Sequence, residues 1–190
     1  STGVENVIIG GLAGDALTTG DGNIAIGRAA LTTDEQGSAS TAIGFQALQN
    51  QVFTTATDAF NVAVGYQAGA ATTTGKTNVF VGAGAGDANT TGELNTFIGG
   101  FAGSAATTAA SNTAVGAYAF DAGTGTQNTA VGSGALGGAS NSGDYNTAVG
   151  KDAGNAISSG DKNTAIGYAA LLSNTTASFN TMVGAFAGDA

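Results

Sequence analysis

The sequence contains no cysteine, proline, histidine or tryptophan, and only four basic residues, Arg28, Lys76, Lys151 and Lys162. Each shortage closes off a class of structure or chemistry. Without cysteine there are no disulfides and no thiolate metal sites. With histidine missing as well, general acid–base and nucleophilic catalysis lose their most versatile groups. Four scattered cations do not make the clustered basic surface that phosphate backbones require, so nucleic acid is not an expected partner. Charged residues are 9% of the chain, with a net charge of −9. No apolar run approaches the roughly 18 residues of a membrane span. The residues from Ser1 show no signal-peptide pattern, which suggests an excised or processed segment. Collagen is excluded because proline is absent and the 33 glycines do not recur at every third position.

What is present is a repeat. Aligned on the phrase N-T-A-V-G, copies start at Asn6, Asn23, Ser40, Asn61, Asn78, Asn95, Asn112, Asn128, Asn146, Asn163 and Asn180. A glycine stands four residues after each start, from Gly10 to Gly184, always preceded by Ile or Val. Three residues after that glycine comes alanine in every copy, from Ala13 to Ala187, and the next position is Gly or a larger apolar residue. The remaining stretches, such as T-T-G-D-G, are turn residues. Regular Val/Ile spacing argues against disorder, which a Gly/Ser/Thr-rich chain with few aromatics would otherwise suggest.

A period near 17 is too short for the helical repeats, which need about 33 residues, and suits one coil of a β-solenoid. The expected fold is therefore all-β: a single repeat domain over 1–190, a rod of eleven coils on the order of 50 Å long at the usual strand spacing. Alternation along the phrase puts the Thr/Val/Ile column and the Ile/Val column on one face and the Asn and mostly Ala columns on the other. The uninterrupted Ile/Val column, Ile9, Ile26, Ile43, Val64, Val81, Ile98, Val115, Val131, Val149, Ile166 and Val183, is expected to be the core, with the invariant alanine opposite it on a second inward strand. Asparagines stack along the axis. The column between, with Ile8, Phe80, Phe97 and Met182 as its large members, is then an outward apolar stripe that calls for a cover, and a parallel homotrimer is the expected one. The flatter alternative makes this column the coil interior. The four extra residues within 49–60 should bulge as a surface loop, with Phe53 lying over a groove.

The phrases N-V-A-V-G-Y-Q-A-G (Asn61 to Gly69) and N-T-A-I-G-Y-A-A-L (Asn163 to Leu171), with the T-T-G linkers, resemble the repeats of bacteriophage tail-fibre proteins that carry endosialidase-type chaperone domains. More distantly they are similar to the heads of YadA-like trimeric autotransporter adhesins. The resemblance implies a virion structural protein serving host attachment, extracellular, with a host glycan or protein receptor as partner; the adhesin likeness implies a bacterial cell surface.

Candidate chemistry is thin. Gly132 to Gly137 matches G-x-G-x-x-G, but its Gly132 and Ala135 are ordinary repeat columns and no helical period follows, as a dinucleotide site would need. Asp34-Glu35 and Asp58 are imaginable as a glycosidase carboxylate pair but recur at no distinctive spacing. Asp15, Asp87, Asp121 and Asp189 follow the alanine column; calcium needs several converging oxygens, and no calcium-loop pattern occurs. The expectation is no enzyme, no cofactor and no catalytic or metal site. Threonine arrays of some β-solenoids face ice, and that reading requires the Thr column to face outward.

Overall fold

A computed structural model describes residues 2–138 and 140–189. It is an all-β parallel solenoid: eleven three-residue strands, from Val7–Ile9 to Thr181–Val183, stack in chain order into one sheet. Equivalent repeat positions pair throughout, so Thr113, Thr129, Thr147 and Thr164 align although their intervals are 16, 18 and 17 residues. The turns absorb the irregularity and the strands keep register.

The facing is the reverse of the expectation. The middle residue of each strand points inward: Ala25, Ala42, Ala63, Phe80, Phe97, Ala114, Ala130, Ala148 and Ala165 are all fully buried. The Ile/Val column from Ile9 to Val183 points outward. Ile26, Ile43, Val64, Val81, Val115 and Val131 are half-buried, while Ile98, Val149 and Ile166 are exposed, and so are Ile9 and Val183 in the end coils. Phe80 and Phe97 are therefore core and not an oligomer face; Ile8 and Met182 belong to the same inward column in the first and last coils, where Ile8 is exposed and Met182 packs on the core.

The asparagines give the physical reason. They alternate onto the same face as the middle residue, and they are needed inside. Asn23, Asn61, Asn78, Asn95, Asn112, Asn128, Asn146 and Asn163 are buried. Each Oδ1 accepts from the backbone N–H of the next ladder residue, as Asn78 Oδ1 does from Asn95 at 3.0 Å. Each Nδ2 donates to the carbonyl of the residue about fourteen positions on, as Asn78 does to Gly92 at 2.8 Å. A buried amide so placed satisfies strand-start and turn groups that would otherwise lose hydrogen bonds. A Thr/Ile/Val interior would instead bury a row of hydroxyls.

Core volume is shared between the strand's middle residue and the position six later. Coils with Ala in the strand carry a large residue there (Ala42 with Leu48, Ala114 with Phe120, Ala130 with Leu136), whereas Phe80 and Phe97 face Gly86 and Gly103. A Cβ on Gly86 would come within 2.5 Å of the Phe80 ring. Ala63 with Gly69 and Ala148 with Gly154 are small at both places, and neighbours close the gaps, Phe80 and Leu48 at the first and Leu136 and Ile157 at the second. Phe80, Phe97 and Phe120 form a tilted ring stack with centroids 5.7 and 6.4 Å apart. The invariant alanine is buried as expected, from Ala30 to Ala170, but it lies in a tight turn and not on a second strand. Residues on either side of it take left-handed dihedrals, as Tyr118 (φ 57) and Phe120 (φ 53) do around Ala119. From Gly10 to Gly167 the glycine that follows each strand has no room for a side chain: at Gly82 a Cβ would stand 2.5 Å from the Gly99 carbonyl oxygen one coil on.

The extra four residues do not simply bulge. They add a two-stranded parallel pairing, Gly37–Ser38 with Thr57–Asp58, and turn Gln51 and Phe53 inward. Gln51 repairs the one break in the ladder, where Ser40 replaces asparagine and is too short to span. Its Oε1 accepts from Asn61 Nδ2 at 2.9 Å, and its Nε2 donates to Ser40 Oγ at 3.0 Å and to the buried Asp34 carboxylate at 2.6 Å. Asp34 Oδ1 also accepts from the Gly37 and Phe53 amides at 3.0 Å.

Two measurements check this account. Phe97→Ala should lower unfolding free energy by about 3–5 kcal/mol in urea titration; adding Gly103→Leu should restore part of it, because Ala-in-strand coils elsewhere hold leucine there. Gln51→Leu should cost about 1–3 kcal/mol by stranding Asp34 and Asn61, while Gln49→Leu, on the same loop, should leave the midpoint nearly unchanged.

Candidate functional surface

Every strand turns two side chains outward, and across eleven strands each of them is Thr, Val or Ile. The first outward column reads Val, Ile, Thr, Val, Val and then threonine from Thr96 to Thr181; the second is the Ile/Val column. The face is flat in register and free of charge from end to end.

Both borders of this face are aromatic. On the side where strands begin, the residue before each asparagine has a left-handed backbone and points out: Phe60, Leu94, Tyr145 and Phe179 are exposed there. On the side where strands end, the two residues after the glycine include Phe45, Tyr66, Phe101, Tyr118, Tyr168 and Phe186. These stack from coil to coil, Phe45 on Tyr66 with centroids 5.4 Å apart and Phe101 on Tyr118 at 5.6 Å. Among the described residues, every exposed large apolar or aromatic side chain except Val4 and Ile8 lies on this face or its two borders. Three of the four cations belong to the same borders: Arg28 over Phe45, Lys151 over Tyr168, and Lys162 between Tyr145 and Phe179, at 5.2 to 5.8 Å from the ring centroids. They are less scattered in space than in the sequence.

The other candidates come apart. Asp34 is a buried structural carboxylate and Asp58 is exposed on the inserted strand, so the two do not frame a cleft. Gly132 to Gly137 runs from a strand end into the repeat's ordinary turn. Among the described residues no cavity opens and no cluster of three acidic side chains converges. Asp121 accepts a short hydrogen bond from Ser104, and Asp189 accepts from Ser173 at 2.5 Å. Burial pushes the Asp87 carboxyl above its ordinary value, and the nearby charge of Asp121 adds to that against two backbone hydrogen bonds.

Sequence reasoning missed the outward face through an assumption about which apolar column packs. The signal that finds it is the size pairing six residues apart, since only inward positions share one volume. No family model, curated protein or solved structure matches the chain.

Because its folded-state pKa is raised, Asp87 favours the fold below the ordinary carboxyl range and opposes it once pH climbs past the raised value. Asp87→Asn should therefore gain a few tenths of a kcal/mol at pH 7, a small effect because the group is partly solvated. The gain should fade near pH 3, read from thermal melts at the two pH values.

Proposed function

We propose that this chain is a structural fibre segment of a virion appendage that serves host attachment, built of parallel homotrimers packed through the Thr/Val/Ile face. The observation that carries the reading is the one-sidedness of the rod. Large exposed apolar groups gather on a single side along its whole length, while threonine, serine, aspartate and glycine occupy the turns. A monomer rarely leaves so continuous an apolar surface in water. The likeness of the repeat phrases to tail-fibre repeats supports the same reading, and a rod with no cleft among the described residues suits a part that holds a tip at a distance. The two outward Thr/Val/Ile columns offer a broader and flatter contact than the single middle column expected from the sequence.

The facing also favours a second reading, that the Thr-x-Val/Ile array orders water and binds ice. The aromatic borders count against it, since they raise ridges on both sides of the array where an ice surface requires a plane.

Native mass spectrometry should give three times the 18.0 kDa chain mass. Val115→Asp and Ile166→Asp should each give monomers with an unchanged circular dichroism spectrum, because these side chains point away from the coil's own core. A wild-type monomer would overturn the assembly. Thermal hysteresis should be absent at millimolar protein, and a clear hysteresis gap would transfer the face to ice.

A further inference from the structure

A third position in each coil also points inward, nine residues after the middle of the strand. Asp34, Gln51, Thr72, Asn89, Ala106 and Ile157 occupy it, and all six are buried. Counted over the three inward positions, the coil starting at Asn61 is the thinnest of all. It holds Ala63, Gly69 and Thr72, whereas every other coil carries Ile, Leu, Phe or Met at one or more of these places.

The third position is polar in four successive coils, from Asp34 to Asn89. Its hydrogen bonds are uneven. Gln51 Nε2 donates to the Asp34 carboxylate at 2.6 Å, and Asn89 Nδ2 donates to the Ala106 carbonyl at 3.1 Å. Between these pairs, in adjacent coils, Thr72 Oγ1 and Asn89 Oδ1 are buried and have no hydrogen-bond partner in the protein. Among the described residues one other side-chain atom is in that position, Asn141 Nδ2, which lies in the uneven turn between Asn128 and Asn146. Turning the Asn89 amide round does not help, because its oxygen would then face the Ala106 carbonyl. The oxygen is held instead toward the coil of Thr72, where a Cβ on Gly75 would stand 3.2 Å from it.

Buried oxygens left unpaired are costly, and two in neighbouring coils beside the thinnest interior point to one occupant. We propose that a single ordered water molecule binds here, taking the Thr72 hydroxyl hydrogen and donating to Asn89 Oδ1. The two protein atoms select this chemistry. An amide oxygen requires a donor, a hydroxyl both gives and accepts, and water satisfies the pair with the two to four polar partners that buried waters have. A cation fits less well, since neither atom is charged and the carboxylate of the row, Asp34, is two coils away and occupied by Gln51 and the Gly37 and Phe53 amides. No pocket opens among the described residues, so a larger ligand has no place. The water ties the coil of Thr72 to the next, as Gln51 ties the coils on either side of Ser40. It belongs to the single chain and does not depend on self-assembly.

Crystals of the protein diffracting to about 1.5 Å should show one peak about 2.6–3.0 Å from both Thr72 Oγ1 and Asn89 Oδ1. Thr72→Ser keeps the hydroxyl and should keep the peak; Thr72→Val keeps the shape and should lose it. Thermal melts separate a wet site from a dry one. A bridged hydroxyl makes Thr72→Val strand the Asn89 oxygen and lowers the midpoint by about 2–4 °C, whereas an unpaired hydroxyl in a dry interior makes the same substitution raise it. The wild-type map is decisive even where Thr72→Val fails to accumulate. No peak in that map, a Thr72 hydroxyl turned onto a protein group, a peak unmoved in Thr72→Val, or a raised midpoint overturns the site.

Discussion

A coil of seventeen residues must return its chain to a point one strand higher, and the buried asparagine amide makes that return. Its oxygen holds the amide of the next strand start and its nitrogen holds the carbonyl of the turn that leads there, so one side chain fixes both ends of the climb. Both groups would be unpaired in the dry interior without it. Once asparagine is inside, strand alternation leaves no choice for its neighbours: the middle residue goes in, and the Thr and Ile/Val columns go out. Inside and outside are thus set by hydrogen bonding and not by which column is most apolar.

That order of causes explains what could be read from the sequence. The solenoid, its parallel strands and their alignment across uneven intervals follow from the recurrence of glycine behind Ile or Val, because a repeat too short for paired helices has few other ways to bury itself. The polarity of the face did not follow. Ile and Val are the strongest apolar signal in the chain, and the rule that such residues lie inside is only a tendency. The deciding evidence lay in weaker marks. Asn is a costly residue to leave buried unless paired, and Phe80 and Phe97 coincide with glycines six residues later. The inserted segment was legible as an insertion but not as a repair, since nothing in Gln51 alone says that it completes the row broken at Ser40.

The candidate surface was legible only in its parts. Phe60, Tyr66, Tyr145 and Lys162 look like unrelated turn residues along the chain, and the four cations look dispersed. Stacking brings positions seventeen apart to within one strand spacing, so columns that are sparse in sequence become ladders in space, with Lys162 held between Tyr145 and Phe179. Left-handed backbone at the residue before each asparagine aims those side chains out beside the sheet, a geometry that residue type alone does not announce, because Phe, Leu and Tyr are poor occupants of that region.

The distribution of volume bears on what the molecule is for. The inner coils bury one or two alanines from these columns and, in most of them, one Phe or Leu, while the β-branched side chains of the strands, the best sheet formers present, stand outside. An isolated rod of this kind draws its cohesion mainly from hydrogen bonds and a thin apolar thread, and each coil touches only its neighbours. The larger apolar surface contributes only when something dry covers it. Under the proposed self-assembly, a second rod of the same sequence would supply a cover whose shape repeats at the same interval. The proposed self-assembly would give a use to an arrangement that the single chain leaves unexplained: strands that turn Ala or Phe inward and their Thr, Val and Ile residues outward.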